Sequence, residues 1–481
     1  MTAILLDATA GAGAASSLRA IALYGGVVAG AILSLLWKAE IGLYLLTVLL
    51  PLQTTRYHLH AFPLGSNAVD ILLLCAITGA LLRPASPLKR NSKVIGFLIL
   101  LGLFLYLSLW RGAFFLSAPF PLWFDNVRLV DYKNIMVMPL LTLAATLIIR
   151  TRKQIALILI LAAVTAVAVD FSYFKSSAGR DFGHYSEETR DSGPLGYAGE
   201  NGLASYMVAI TACLLPFIAL NRPRTLKFPL LAVLAANICC ILFSYSREAY
   251  AALIAVLFFV ALLRLRWLLI PLLLAAMAWQ ALLPVAVQER ITMTYRHSSD
   301  GQAAKLDASA QERVMLWTDA MALFHENPVI GSGFLTYAHM NRVGSYRDTH
   351  NFYLKMLVET GLIGLALFIA QLLLFLRQGV LLFRKATDPF LSLFGLGFAA
   401  LMVATAIVNL FGDRWLFIQV DSNLWILLGC VLAALSLSEA EQSAPATAAA
   451  RKNKPRRLAE GDVFRPAPIK PEVETADGCT V

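Results

Sequence analysis

Thirteen continuous apolar stretches dominate this chain, at 20–37, 40–53, 68–83, 94–110, 134–149, 154–170, 203–220, 228–243, 247–263, 267–285, 352–376, 389–410 and 423–438. A bilayer-spanning helix needs about 20 mostly apolar residues, and lipid admits only helices or closed barrels as spanning structures. The stretches show no period-two alternation, so they predict an all-α polytopic membrane helical bundle of 12–13 transmembrane helices. The lower count follows if the short second stretch is part of a re-entrant or tilted element. Composition agrees, since 58% of the 481 residues are hydrophobic and 15% charged, against about 45–50% and about 25% in soluble domains. Cys75, Cys213, Cys239, Cys240 and Cys430 lie in apolar runs and Cys479 in the polar tail. No CxxC or Cys/His cluster occurs, so neither a zinc site nor a disulfide framework is expected. Arg19 is the first basic residue, so the charged start of a cleavable signal peptide is not expected either.

The formal charge of +10 would suit a nucleic-acid partner, but its distribution gives a different reading. Every second short loop is basic: Arg83, Lys89, Arg90 and Lys93; Arg150, Arg152 and Lys153; Arg222, Arg224 and Lys227; Arg264 and Arg266; Arg377, Arg384 and Lys385. Asp388 is the one acid among them. Basic residues in short loops mark the cytoplasmic side, so the charge is an orientation signal and no nucleic-acid partner is expected. The same alternation puts 439–481 in the cytoplasm as a disordered tail, with Arg451, Lys452, Lys454, Arg456 and Arg457 near anionic lipid. The opposite, periplasmic side carries the loops 54–67, 111–133, 171–202, 286–351 and 411–422. The expected organisation is N-terminal transmembrane helices in 1–285, a periplasmic catalytic loop in 286–351, C-terminal transmembrane helices in 352–438, and the tail.

A loop as long as 286–351 is uncommon unless it is folded or functional. Its six Lys/Arg and seven Asp/Glu balance, as suits an exported segment. Ser309-Ala-Gln-Glu312 has the pattern of a capping box. Val314, Trp317, Met321 and Phe324 follow at helical spacing before Asn327-Pro328, which predicts an amphipathic helix lying against lipid or the bundle. Gly331-Ser-Gly333 predicts a tight turn and is too sparse for a nucleotide-binding loop.

Ion-coupled transport usually places charges near the bilayer midplane, whereas here Glu40 and Asp170 sit near span ends. No ATP-binding motif is present, so a bond formed on the outer side must draw on an activated donor. Three outer stretches carry suitable chemistry: Arg190 to Gly196 with Glu200-Asn201, Ser246-Arg247-Glu248 between two close spans, and His350-Asn351 with Tyr353 where the long loop meets a helix. The Arg247 guanidinium suits two parallel hydrogen bonds to a phosphate at headgroup depth, or else a structural pairing with Glu248. His350 has a side-chain type that accepts a proton near neutral pH, with Asn351 and Tyr353 placed to orient it or a substrate; packing or capping is the alternative. Glu359 lies nine residues on, about 13 to 14 Å along a helix, so it is expected to point into the bundle as a structural hydrogen-bonding group.

The ordered set Ser246-Arg247, Arg313 with Trp317, Asn327-Pro328 with Gly331 and Gly333, His350-Asn351 with Tyr353, and Glu359-Thr-Gly361 resembles the O-antigen ligase and polymerase superfamily of bacterial inner-membrane glycan transferases. The resemblance implies an active site facing the periplasm and transfer of a glycan from undecaprenyl diphosphate to a sugar hydroxyl, without cofactor, nucleotide or essential metal. Its implied partners are the lipid-linked glycan, lipid A core or a growing glycan as acceptor, and membrane lipid. By carry-over His350 is the general base and Arg247 and Arg313 bind diphosphate, with Arg190 and Arg347 as further substrate contacts. Direct attack implies inversion. A polymerase, a protein-glycosylating relative, or a lipid-linked glycan flippase are the alternatives the sequence leaves open. Glu248 departs from the small residue of many relatives, and pairing with Arg247 is expected to weaken phosphate binding.

Overall fold

A computed structural model describes residues 18–52, 58–83, 92–195, 197, 199–220, 224–293, 295–296, 305–306, 308–343 and 348–452. The chain forms a main unit, Met1–Ser438, and a second unit, Glu439–Val481, in which helix continues to Lys452. The remainder of the predicted tail and Arg347 lie outside the described residues.

The helices of the main unit run in order as α1 Leu18–Leu36, α2 Glu40–Leu49, α3 Ala68–Leu82, α4 Ser92–Phe115, α5 Val127–Ile148, α6 Arg152–Ser176, α7 Glu200–Leu214, α8 Arg224–Phe243 and α9 Arg247–Leu263. They continue as α10 Leu269–Met277, α11 Trp279–Leu282, α12 Val285–Thr292, α13 Ala308–Glu326, α14 Tyr337–Met340, α15 Phe352–Lys385, α16 Pro389–Val408 and α17 Ile418–Lys452, the last passing into the second unit. Short 3-10 helices and a two-residue antiparallel ribbon, Tyr295–Arg296 with Lys305–Leu306, complete the regular structure among the described residues. All thirteen apolar stretches fall on helices, and the protein is an all-helical polytopic membrane protein.

Eight helices among the described residues, not twelve or thirteen, are long and apolar enough to cross a membrane. For three of the remaining stretches the cause is local. Helix α2 has 10 residues, about 15 Å. The first turns of α5 carry Arg128, Asp131 and Lys133. The stretch 267–285 is broken at Ala278, whose φ and ψ of −105° and 22° leave the helical basin between α10 and α11.

Helix α15 packs chiefly on α16, which also packs on α7 and α9. Small residues set that distance: a Cβ on Gly379 would lie 2.8 Å from the Ala399 backbone nitrogen, and one on Gly395 would lie 2.4 Å from that of Phe383. Close backbone approach is how helices gain packing energy in lipid, where the hydrophobic effect between them is absent.

Helix α13 begins at Ala308, so Ser309 lies within it and not ahead of it as the capping-box pattern suggests. Its buried face is Leu316, Ala320 and Leu323, while Val314 is 49% exposed. The stripe is therefore turned from the one read in the sequence, and its Ala320 and Leu323 pack with Tyr337 and Val358. Those partners belong to α14 and α15, so this face of the helix is held by protein.

Candidate active site

Helix α15 begins the site. Asn351 is its N-cap, with Oδ1 accepting from Leu354 N at 3.1 Å, which satisfies one of the donors a helix start leaves open. The Phe352 N–H donates to Asn409 O at 2.9 Å. Asn409 Oδ1 in turn accepts from Arg414 N and Trp415 N at 3.1 and 2.8 Å. Lys355 Nζ meets Asp413 Oδ2 at 2.5 Å, both side chains being buried. The turn 409–415 is thus fastened to the first turn of α15, and the Tyr353 hydroxyl donates to Ala406 O at 2.9 Å on the same side.

Just before that helix, His350 has a φ of 48°, a left-handed conformation uncommon outside glycine. Asp348 closes the turn, with Oδ1 2.8 Å from the His350 backbone nitrogen and 3.0 Å from Nδ1 of its ring. Burial opposes the Asp348 charge, but the His350 ring and backbone N–H outweigh it and hold the carboxyl at about 2. The tautomer that donates from Nδ1 leaves Nε2 as a proton acceptor. Trp317 Nε1 donates to Thr349 O at 3.0 Å, tying α13 to the same turn.

A second fastening lies about two turns deeper. Gly361, with φ 68° and ψ −168°, breaks the helical path inside α15. The freed backbone pairs with the loop 328–333: Leu362 N with Pro328 O at 2.9 Å, Ser332 N with Val358 O at 3.0 Å, and Gly333 N with Glu359 O at 2.7 Å. The Glu359 carboxylate accepts from Leu335 N and Tyr337 N, each at 3.0 Å, so it has the structural role expected of it. Gly331 and Gly333 both have positive φ, and Gly361 is needed because a Cβ there would lie 2.2 Å from Val329 O.

Arg247 is the first residue of α9, half-buried, after the N-cap Ser246 and left-handed Tyr245. Arg290 of α12 donates to Tyr245 O at 3.3 Å and to Glu187 at 3.2 Å, and stacks 4.8 Å from the Tyr185 ring centroid. Burial lowers the Arg290 pKa, and the neighbouring cations Arg190 and Arg247 push the same way. Arg190 pairs with Glu187 at 3.1 Å and with Glu200. Burial pulls its pKa down, and Glu200 with Glu187 more than offsets this, so its net shift is upward.

Glu248 bonds Arg414 Nε at 3.3 Å with both side chains buried, so the pairing with Arg247 expected from the sequence gives way to a partner 166 residues away. The Glu248 carboxylate also lies in the field of Arg313 and His350. Arg190, Arg247 and Arg290 therefore form one group, and Arg313, Arg414 and His350 another around Glu248. The starts of α9 and α15 lend both groups the positive ends of long helices. Asp348, Arg290 and Arg414 are site residues that the sequence reading did not single out. For Arg414 the signal was available, since it is a basic residue in a loop on the side where basic residues are scarce.

Residues 230–369 match the family model described as O-Antigen ligase. Over that segment the chain is similar to the O-antigen ligase superfamily. The matched segment runs from α8 through the long loop into α15, and so contains Arg247, Arg290, Arg313, Asp348 and His350. No curated protein matches the chain.

Proposed function

We propose that this chain is a member of the O-antigen ligase superfamily and joins a glycan carried on undecaprenyl diphosphate to a hydroxyl of lipid A core, at the periplasmic face of the bacterial inner membrane. His350 Nε2 takes the proton of the acceptor hydroxyl. The acceptor oxygen attacks the anomeric carbon as the bond from that carbon to the diphosphate oxygen breaks, and the configuration inverts. Arg247 and Arg313 hold the diphosphate and the charge it gains on leaving, with Arg190 and Arg347 as outer contacts and Arg290 holding the Arg247 turn. Asn351 and Tyr353 fix the helix start from which His350 projects. The arrangement needs no activation of the donor, because diphosphate is already a good leaving group; orientation, one proton acceptor and fixed positive charge suffice.

The observation that carries this reading is a histidine held by a carboxylate, Asp348, which shares with Arg313 the surroundings of Glu248, the neighbour of Arg247 at the start of α9. Its direct test is the purified full chain with a lipid-diphosphate glycan and lipid A core. Formation of a core-linked glycan of inverted anomeric configuration is expected, and retained configuration contradicts single displacement. In a deletion strain, long glycan accumulating on the carrier is the expected result, whereas core capped with one repeat assigns a polymerase. Orientation is tested by thiol labelling of Leu88→Cys and Asp300→Cys: only the second should react from outside.

A further inference from the structure

A cavity of about 710 Å³ opens beside the start of α5, walled by the 116–126 segment, Arg128 and His339. The segment is a built loop. Trp110 stacks on Phe120 with centroids 5.2 Å apart. Asn126 closes it, accepting from Arg128 N and Leu129 N at 3.1 and 3.3 Å and donating to Pro119 O at 3.1 Å.

Arg128 is the feature that needs an explanation. Its residue is 5% exposed, yet neither Nη1 nor Nη2 has a hydrogen-bond partner among the described residues. It is held there deliberately, over a glycine: a Cβ on Gly112 would come within 2.9 Å of Nη1 and 2.6 Å of Thr336 Cγ2. A buried guanidinium with open donors is costly unless an anionic oxygen completes it. The cavity mouth adds a second requirement. Leu122, Trp123 and Val127 are 57 to 76% exposed, an apolar and aromatic rim of the kind that sits at the membrane interface. A ligand that satisfies both has acidic oxygens on its head and an apolar body in the bilayer.

One wall of the cavity is tied to α15. His339 belongs to α14, whose first residue is bonded to Glu359 of α15. Asp131, one turn beyond Arg128, lies in the field of both His339 and Lys355, and Lys355 acts on Asp348. The proposed diphosphate ligands, Arg247 and Arg313, do not line this cavity.

We propose that the cavity seats the phosphate-bearing head of the acceptor lipid, with Arg128 as its anion ligand and the Trp123 rim against its acyl region. This rests on the glycan-transfer reading above for the identity of the amphiphile.

The test is binding to the full chain in phosphatidylcholine nanodiscs, with no donor present, using lipid A core, its phosphatase-treated counterpart and inorganic phosphate. Arg128→Gln should weaken binding of the intact acceptor at least tenfold and leave donor binding unchanged. Phosphatase treatment should weaken binding to the wild type by a similar factor. Trp123→Ala, at a position 76% exposed, should weaken it at least threefold with the melting temperature unchanged. Unchanged acceptor affinity in Arg128→Gln with a wild-type melting temperature would overturn the proposal, as would equal binding of the dephosphorylated lipid. Full displacement of the lipid by millimolar inorganic phosphate would assign the site to a free anion instead. Arg128-dependent acceptor binding by a wild type that forms no glycan product would keep the lipid site and overturn the transfer reading.

Discussion

Asp348 Oδ1 is 3.0 Å from His350 Nδ1 and 2.8 Å from the same residue's backbone nitrogen. One carboxylate thus fixes both the strained backbone of the histidine and the direction of its ring. Replacing it by asparagine keeps the shape but permits the ring to turn or take the other tautomer. Asp348→Asn should therefore lower kcat by about 10²- to 10⁴-fold, by analogy with the aspartate of a serine-protease triad, while donor KM stays within about twofold. Steady-state kinetics decides it, and a change confined to KM would give Asp348 a binding role.

The same pair links stability to pH. The Asp348 carboxyl, held at about 2, is below the ordinary aspartate value near 3.9 of the unfolded chain. Its contribution is therefore full above pH 4 and is lost as pH falls through 2. Because a third of the side chain is exposed, about 1 kcal/mol is expected, less than the shift alone would give. Unfolding of wild type and Asp348→Asn between pH 2 and 6 should show a gap that closes toward pH 2. A gap that widened on acidification would reverse the sign of this linkage.

Glu248 and Arg414 are buried together, and neither charge is easily left alone. Glu248→Ala is expected to cost about 3 to 5 kcal/mol, while replacing both residues by apolar ones of similar volume should cost far less than the two single changes together. A double-mutant cycle by chemical unfolding measures this, and simple additivity would mean that the 3.3 Å contact contributes nothing.

Gly361 tests the second fastening. A methyl group there meets Val329 O at 2.2 Å and the backbone must keep a φ of 68°. Gly361→Ala should cost about 3 kcal/mol from strain and the displaced strap. A thermal melt at wild-type temperature would show that the loop 328–333 does not depend on this crossing.

The helices were legible because continuous apolar runs have few alternatives in lipid, and Arg247 and His350 stood out because their types are unusual at those positions. What stayed hidden depended on partners distant in sequence. Glu248 finds Arg414, 166 residues away, in preference to its neighbour, and no local pattern encodes that choice. In α13 the consecutive apolar residues Val314, Met315, Leu316 and Trp317 offer more than one face, and the α14–α15 surface takes the one that holds Ala320 and Leu323. Arg128 reads as an ordinary charge at a helix start until Gly112 and the 333–336 turn close over it.

The most direct measurement is the rate of product formation by purified His350→Ala with lipid-diphosphate glycan and lipid A core, set beside its donor affinity. A rate reduced by at least about 100-fold, from loss of the general base, with donor binding and melting temperature near those of the wild type, is the predicted result. Turnover at the wild-type rate would contradict the role of His350 as base and with it the proposed mechanism.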